Sequence, residues 1–315
     1  MADNHLIAKN TVFLYIRMLL SMGIYLYTTR VVLSILGVED YGIYNVVGGL
    51  VAMFSFLNAT MSGATSRFIT FELGKNSSKV QTVFSVALTI HIIIALIVFL
   101  IGETFGLWFL ENKLTIPATK MYEAKWLLQF SIVTMIFSFT QVPYNASIIA
   151  HEKMNIYAYF ELVNVGLKLL SVYLLLIIDA NKLIFYGAIV MLTQIGVTLL
   201  YRLYCTRKWE HCKFNLSLDR EFLRPLLSYS GWDLFGNASL VARTQGVNVL
   251  LNIFFGAILN AAAGIAMQVQ TAAMSFATNV MTAFRPQIVK TYAAKSYSEM
   301  INLISLGSII TYILY

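Results

Sequence analysis

Charge is what this sequence has least of. Only 12% of its 315 residues are Asp, Glu, Lys or Arg, against 58% hydrophobic residues and a mean hydropathy of +0.73. A soluble domain carries about 25% charged residues, so the deficit excludes that class and leaves a polytopic helical membrane protein. Cysteine is equally scarce. Cys205 and Cys212 stand seven apart in one basic loop with His211 between them, a spacing that suits no zinc pair. No metal or other cofactor is expected. No glycine-rich phosphate loop of the Walker type occurs, so ATP is not the direct driver. His151-Glu152 lacks a second histidine four residues on, which excludes the zinc-protease motif, and His91 is a lone histidine suited to packing. The N-terminus MADNHLIAKN is polar, with no small-residue cleavage site after the first apolar run. The net charge of +7 needs no nucleic acid, because basic residues collect in cytoplasmic loops of membrane proteins.

Long apolar runs fill the rest. A helix crosses the bilayer core in about 20 residues, and nine spans fit by length and flanking charge, near 11–36, 41–63, 80–108, 126–149, 156–178, 183–204, 226–256, 258–284 and 299–315. With the N-terminus in the cytoplasm, fourteen loop Lys and Arg residues, Arg67 and Arg285 among them, fall on the cytoplasmic side and four on the other. That excess sets the orientation. No Pro/Gly/Ser-rich linker breaks the chain, and the longest hydrophilic stretch, Cys205 to Arg224, is its one internal boundary.

The sequence echoes itself across that boundary. SILGVEDYGIYNVV and ATSRFITFELGKNSSKVQTVFS correspond to NIFFGAILNAAAGIAMQV and MTAFRPQIVKTYAAKSYSEMINLIS. Gly37 pairs with Gly256, Gly42 with Gly264, Arg67 with Arg285 and Lys75 with Lys295. Six spans separate the copies, an even number, so the halves share one orientation and an axis along the membrane normal. The expected organisation is an N-terminal lobe of six spans over 1–205, a cytoplasmic basic loop over 206–225, and the start of a C-terminal lobe over 226–315. That second lobe holds about three spans and is expected to be incomplete in this chain.

Four basic residues lie inside spans, where an arginine costs roughly 2.5–3.5 kcal/mol unless something offsets it. They are Arg17, Arg30, Lys168 and Arg243. At 100° per residue, Ser21 and Thr28 fall about 40° and 20° from Arg17, forming a polar stripe; Arg30 is about 220° round and leaves two readings, cavity contact or snorkelling. In span five, Tyr157, Glu161, Asn164, Lys168 and Ser171 share about 80° of arc. In span seven, Asp233, Asn237, Thr244 and Asn248 share about 60°. Such stripes face protein or water, not lipid. The candidates for substrate binding are Arg17, Arg30, Lys168, Arg243, Asn164, Asn237 and Asn248, because cations suit phosphate and amides suit sugar hydroxyls. Asp233 and Glu161 are candidates for a coupling ion.

Three stretches, Leu36-Gly37-Val38-Glu39-Asp40-Tyr41-Gly42-Ile43-Tyr44, Val142-Pro143-Tyr144-Asn145-Ala146 through Ala150-His151-Glu152-Lys153-Met154, and Phe284-Arg285-Pro286-Gln287, carry a resemblance. The sequence resembles the polysaccharide-flippase branch of the multidrug/oligosaccharidyl-lipid/polysaccharide exporter superfamily. The resemblance implies an all-α, MATE-like fold of two six-helix lobes around a central cavity. It also implies flipping of undecaprenyl-pyrophosphate-linked oligosaccharide to the outer leaflet of a bacterial inner membrane, for O-antigen, capsule or exopolysaccharide assembly. The expected partners are that lipid-linked oligosaccharide, membrane lipids and other polysaccharide-assembly proteins. Two alternatives stand beside this reading. A cation-coupled multidrug exporter of the same fold would need acidic cavity residues, and the stripes of spans one to six set Glu161 against Arg17, Arg30 and Lys168. A membrane-embedded enzyme would need a large polar loop with paired carboxylates or metal ligands, and the longest loop is about 20 residues.

Overall fold

The computed structural model describes the backbone of residues 4–52, 54–75, 77–114, 116–178 and 181–314; the side chains of 240–269, 271–273 and a few single positions lie outside the description. The described residues are helical with no strand. The helices are α1 (Asn4–Ala52), α2 (Ser55–Gly74), α3 (Val80–Ile101), α4 (Leu107–Asn112), α5 (Met121–Ala150), α6 (Met154–Ile177), α7 (Lys182–Lys208), α8 (Arg220–Ala293) and α9 (Tyr297–Leu314). Among the described residues, five helical segments are long and apolar enough to cross a membrane.

Gly37 divides α1 into a candidate span, Leu6–Gly37, and a shorter helical segment, 38–52. Its φ of 78° and ψ of 171° break the helix, and only glycine adopts that conformation without a steric cost. The chain reverses there, with Tyr44 on Tyr186 near the start of α7 and Val51 beside Met135 of α5, and α2 follows the segment 38–52. The sequence placed the end of the second span at 63, but helix runs on to Gly74. Arg67, expected in a loop, therefore lies inside a helix, and so does Arg285. The face where α1 begins and α2, α5 and α7 end is called proximal below; the face at Gly37 is distal.

α8 is 74 residues long, which would reach about 110 Å if straight. It is not straight. Phe68 of α2 contacts Tyr229 at 6.3 Å between ring centroids, and Phe71, one turn on, contacts Tyr292 at 6.3 Å. Residues near both ends of α8 thus lie at one level of α2. The first arm (220–239) runs antiparallel to α2, with Asn237 on Thr60, and the second arm (274–293) runs parallel to it. A β-carbon on Gly74 would stand 2.9 Å from the Ala293 β-carbon and from the Lys290 backbone, so glycine lets α2 and the second arm touch.

Three apolar clusters hold the bundle. One gathers Phe84, Ile148, Tyr201 and Phe222 in the proximal half. A second gathers Val47, Leu128, Phe139 and Leu183 toward the distal half. The third ties Leu14 of α1 and Met154 of α6 to Phe284 of α8 and Leu303 of α9. Lipid supplies little hydrophobic drive between helices, so close packing and interhelical hydrogen bonds decide which faces meet.

Candidate functional site

The polar stripes of α1 and α6 face each other. Ser21, Tyr25 and Thr28 line a cavity of about 290 Å³ with Glu161, Val165 and Lys168. Arg17 lies one turn before Ser21 on α1, on its proximal side. Its Nη1 donates to the Tyr157 hydroxyl at 3.0 Å and its Nη2 to Asn279 Oδ1 at 3.3 Å. Arg17 therefore joins α1, α6 and the second arm of α8, and its buried Nε has no partner. Lys168 is exposed along the cavity wall. Arg30 is also exposed, in the distal half of the first span, and lines none of the cavities described here.

A second cavity, of about 300 Å³, lies behind α6 among α2, α5 and α7. Its walls are Asn58, Ser62, Ser138, Gln141, Val142, Asn145, Glu161, Asn164 and Gln194. Glu161 borders both cavities. Asn58 donates to Ser138 Oγ at 2.9 Å, and Gln194 donates to Gln141 Oε1 at 2.9 Å. The side-chain oxygens of Asn58, Asn145 and Asn164 are buried without a donor. Buried acceptors left open are costly, so this pocket calls for a donor or a cation. Most of these residues were missed in the sequence, although the spacing was there. Asn58 and Ser62 are i and i+4 on α2; Gln194, Thr198 and Arg202 are i, i+4 and i+8 on α7. Arg202, expected in a loop, donates to Thr140 Oγ1 at 2.7 Å and lies over the Tyr144 ring.

The first arm of α8 behaves differently from its stripe. Asn237 donates to Thr60 Oγ1 at 3.2 Å and so binds helix to helix. Asp233 lies beside Gly63 of α2. Arg243, Thr244 and Asn248 lie outside the described residues. Acids are more numerous than the stripes suggested. Glu103 sits in a π turn (Gly102–Gly106) inside the third span and accepts from Gln129 at 3.1 Å, and Glu72 is buried near the end of α2.

The proximal face is closed by a further cluster. Glu152, only 7% exposed, accepts from Lys290 Nζ at 2.6 Å and from Gln287 Nε2 at 2.9 Å. Its backbone carbonyl accepts from Asn10 at 3.1 Å. Glu152 has φ 59°, a left-handed conformation uncommon outside glycine. Tyr15 adds a bond to the Phe276 carbonyl at 3.1 Å. These contacts join α1 and the α5–α6 turn to the second arm of α8.

Beside that turn, His151 stacks on Trp209 at 4.1 Å and on His211 at 5.1 Å. Burial drives the His151 imidazole down to about 4. Cys205 and Cys212 are both buried here. Among the described residues, no three His, Cys, Asp or Glu side chains converge as a metal site would require.

No family model matches the chain, and no curated protein matches it. Solved structures do. MATE in the straight conformation superposes with a TM-score of 0.81 at 14% identity, over 98% of this chain and 70% of that one. An outward-facing multidrug resistance MATE family transporter of the MOP superfamily gives 0.80 at 14% identity, over 97% and 69%. A MOP superfamily transporter from Pyrococcus furiosus Vc1, described as having a binding pocket of reverse polarity that suggests a different function, gives 0.77 at 15% identity, over 97% and 69%. The chain has the fold of these transporters.

Proposed function

We propose that the chain, built on the fold of the MATE transporters, exports an undecaprenyl-pyrophosphate-linked oligosaccharide by alternating access between two lobes. The N-terminal lobe is α1–α7, and α8 and α9 begin the second. One observation carries the reading. Arg17 of α1, Arg67 of α2, Lys168 of α6 and Arg285 of the second arm of α8 have no carboxylate partner among the described residues. Cations without a carboxylate partner among packed helices are stabilised by an anionic ligand, and guanidinium donors match phosphate oxygens.

Glu161 and the open carboxamide oxygens of Asn58, Asn145 and Asn164 are proposed to take the coupling ion. A carboxylate among neutral oxygens is the donor set that hard cations prefer. Lys168, which lines the other cavity, would stay available to the substrate. The proximal face is proposed to be cytoplasmic in a bacterial inner membrane. Moving Arg67, Arg202 and Arg285 from loops into helices leaves the basic excess on that same side. Lys79, Lys153, Arg207, Lys208 and Lys213 all remain there.

A cation-coupled multidrug exporter is the second reading, and the multidrug transporter among the structural neighbours favours it. The test uses the gene in its host. Arg17, Lys168 and Arg285 are each changed to Ala and to Glu, membrane expression is confirmed, and surface polysaccharide and lipid-linked precursor are assayed. Loss of surface polysaccharide with accumulation of precursor is expected. Normal export in every variant, together with drug sensitivity on deletion of the gene, would transfer the assignment to the multidrug reading.

A further inference from the structure

The linker between α7 and α8 carries apolar side chains that nothing in the chain covers. After Trp209 a short turn, Glu210–Cys212, sets His211 against Phe84 of α3, at 6.5 Å between ring centroids. Residues 213–219 then run without helix, with ψ of 122° at Lys213 and 117° at Asp219. Extended chain turns alternate side chains to opposite sides. Phe214, Leu216 and Leu218 therefore share one side, and they are 47%, 71% and 54% exposed. Between the two leucines, the Ser217 backbone N–H donates to Thr89 Oγ1 of α3 at 3.5 Å. The segment thus rests on α3 and turns an apolar strip outward.

Two markers give the depth of that contact. Thr89 belongs to the candidate span Val80–Asn112. Exposed Trp108, Tyr122 and Trp126 stand at its distal end, where aromatic belts meet headgroups. A hydrocarbon core of about 30 Å takes about 20 residues of helix, which counted back from Trp108 end near Leu88. Thr89 is at that level. The second marker is exposure along α3. Residues 83–91 are buried, whereas Ile92, Ile93, Leu96 and Ile97 are exposed. The lipid-facing surface of α3 therefore starts one turn distal to Thr89, and the strip borders it. Charge fits the same place. Arg207, Lys208, Lys213, Arg220 and Arg224 flank the strip in sequence, are exposed, and have no carboxylate partner among the described residues. Of the nearby acids, Glu221 is held by Lys79 and Asp219 caps α8.

We infer that residues 213–218 form a strap that docks on anionic lipid of the proximal leaflet. Phe214, Leu216 and Leu218 enter the boundary between headgroups and acyl chains, and the flanking basic residues hold the headgroups. The occupant is the leaflet and not a protein, because the strip lies at the depth where lipid meets α3. The strap sits in the longest hydrophilic stretch, the link between the two halves of the chain, and ties that link to the membrane surface. It requires the membrane-spanning fold alone and holds for either cargo.

The test places spin labels on the strap in lipid. Phe214→Cys, Leu216→Cys, Leu218→Cys and Glu210→Cys are made singly, labelled and reconstituted in vesicles of phosphatidylcholine and phosphatidylglycerol. The parent chain, whose Cys205 and Cys212 are buried, sets the background. Collision with oxygen, which partitions into lipid, is compared with collision with a water-soluble nickel chelate. Labels at 214, 216 and 218 are expected to favour oxygen, and the label at 210 the chelate. In a second measurement, native mass spectrometry compares retained phosphatidylglycerol with retained phosphatidylcholine. Lys213→Gln and Arg220→Gln are each expected to lower the preference for phosphatidylglycerol, by up to roughly fivefold. Lys113→Gln, at the distal face, is expected to leave it unchanged. Three results would overturn the proposal. Labels at 214, 216 and 218 that favour the chelate would put the strip in water, free for a soluble partner. Labels shielded from both reagents would mean that protein covers it. An unchanged preference in both Lys213→Gln and Arg220→Gln would remove the headgroups from the site.

Discussion

Removing the positive partner of Glu152 is expected to open the proximal face. The carboxylate is 7% exposed, while the Lys290 side chain is 31% exposed. Stripping one partner from a buried pair costs about 3–5 kcal/mol. Partial exposure of Lys290 screens its charge and brings this down to about 1–3 kcal/mol. Glu152 would keep the bond from Gln287, which also limits the loss. A change of about 1.4 kcal/mol is tenfold in an equilibrium, so Lys290→Met should shift the ratio of closed to open proximal faces by roughly tenfold to a hundredfold. Glu152→Gln should act in the same direction and less strongly, because a neutral amide leaves no buried charge behind. The assay is the distribution of distances between spin labels at Lys153→Cys and Ala294→Cys, two exposed positions on either side of the cluster. Longer distances should appear in both variants. Lys79 and Glu221 supply the control, since their side chains are 51% and 56% exposed and Glu221→Gln should leave the distribution unchanged. Wild-type distances in Lys290→Met, in a chain that still folds, would refute the reasoning and make the cluster incidental to closure.

Three further outcomes are expected. A β-carbon at Gly187 would stand 2.5 Å from Leu127 Cδ2 and 3.1 Å from Phe130 Cδ2, so Gly187→Ala should lower the melting temperature through about 1–3 kcal/mol of overpacking; Gly196→Ala, with nothing within 4 Å, should not. The His151 imidazole is held at about 4 in the fold against an ordinary 6.5. Between those values the unfolded chain binds more protons, so this contribution is present above pH 6.5 and is lost as pH falls through 4. The stacked Trp209 should report it, by fluorescence that titrates with a midpoint near 4 and does not titrate in His151→Phe. Arg17→Lys should preserve charge but not both bonds to Tyr157 and Asn279, so export should fall while expression holds, and a full rate in this variant would show that the two bonds are dispensable.

The apolar runs made five of the nine expected spans legible among the described residues, and Gly37 made the first turn legible. The α6 stripe was legible too: Glu161, Asn164 and Lys168 stood out against Leu and Val, and the fold sets Glu161 and Lys168 in one cavity. What failed was anything neutral. Asn58, Ser138, Gln141, Asn145 and Gln194 sit on four-residue and seven-residue rhythms, but an amide breaks hydropathy far less than a charge does. The Ser, Thr and Gly content of α2 concealed that its helix passes 63, and this threw Arg67 into a loop. Asn237 matched the stripe pattern perfectly well, yet its amide is spent on Thr60. Periodicity reports which face is polar, and only packing decides whether that face holds a ligand or another helix.

α2 lies against both arms of α8, so the alternating access proposed above would have to slide along it. The surfaces that touch there are smooth. Gly74 meets Ala293 and the backbone of Lys290 without an intervening side chain, and a β-carbon at Gly63 would meet Arg285 Nη1 at 3.8 Å and Asp233 Oδ2 at 4.0 Å. Interlocked knobs would have to unpack before the helices could shear, whereas a smooth contact glides with its area unchanged. On that proposal the edge of α2 serves as a bearing, and a single added tooth at position 74 would act as a brake on the movement even with every charged side chain intact.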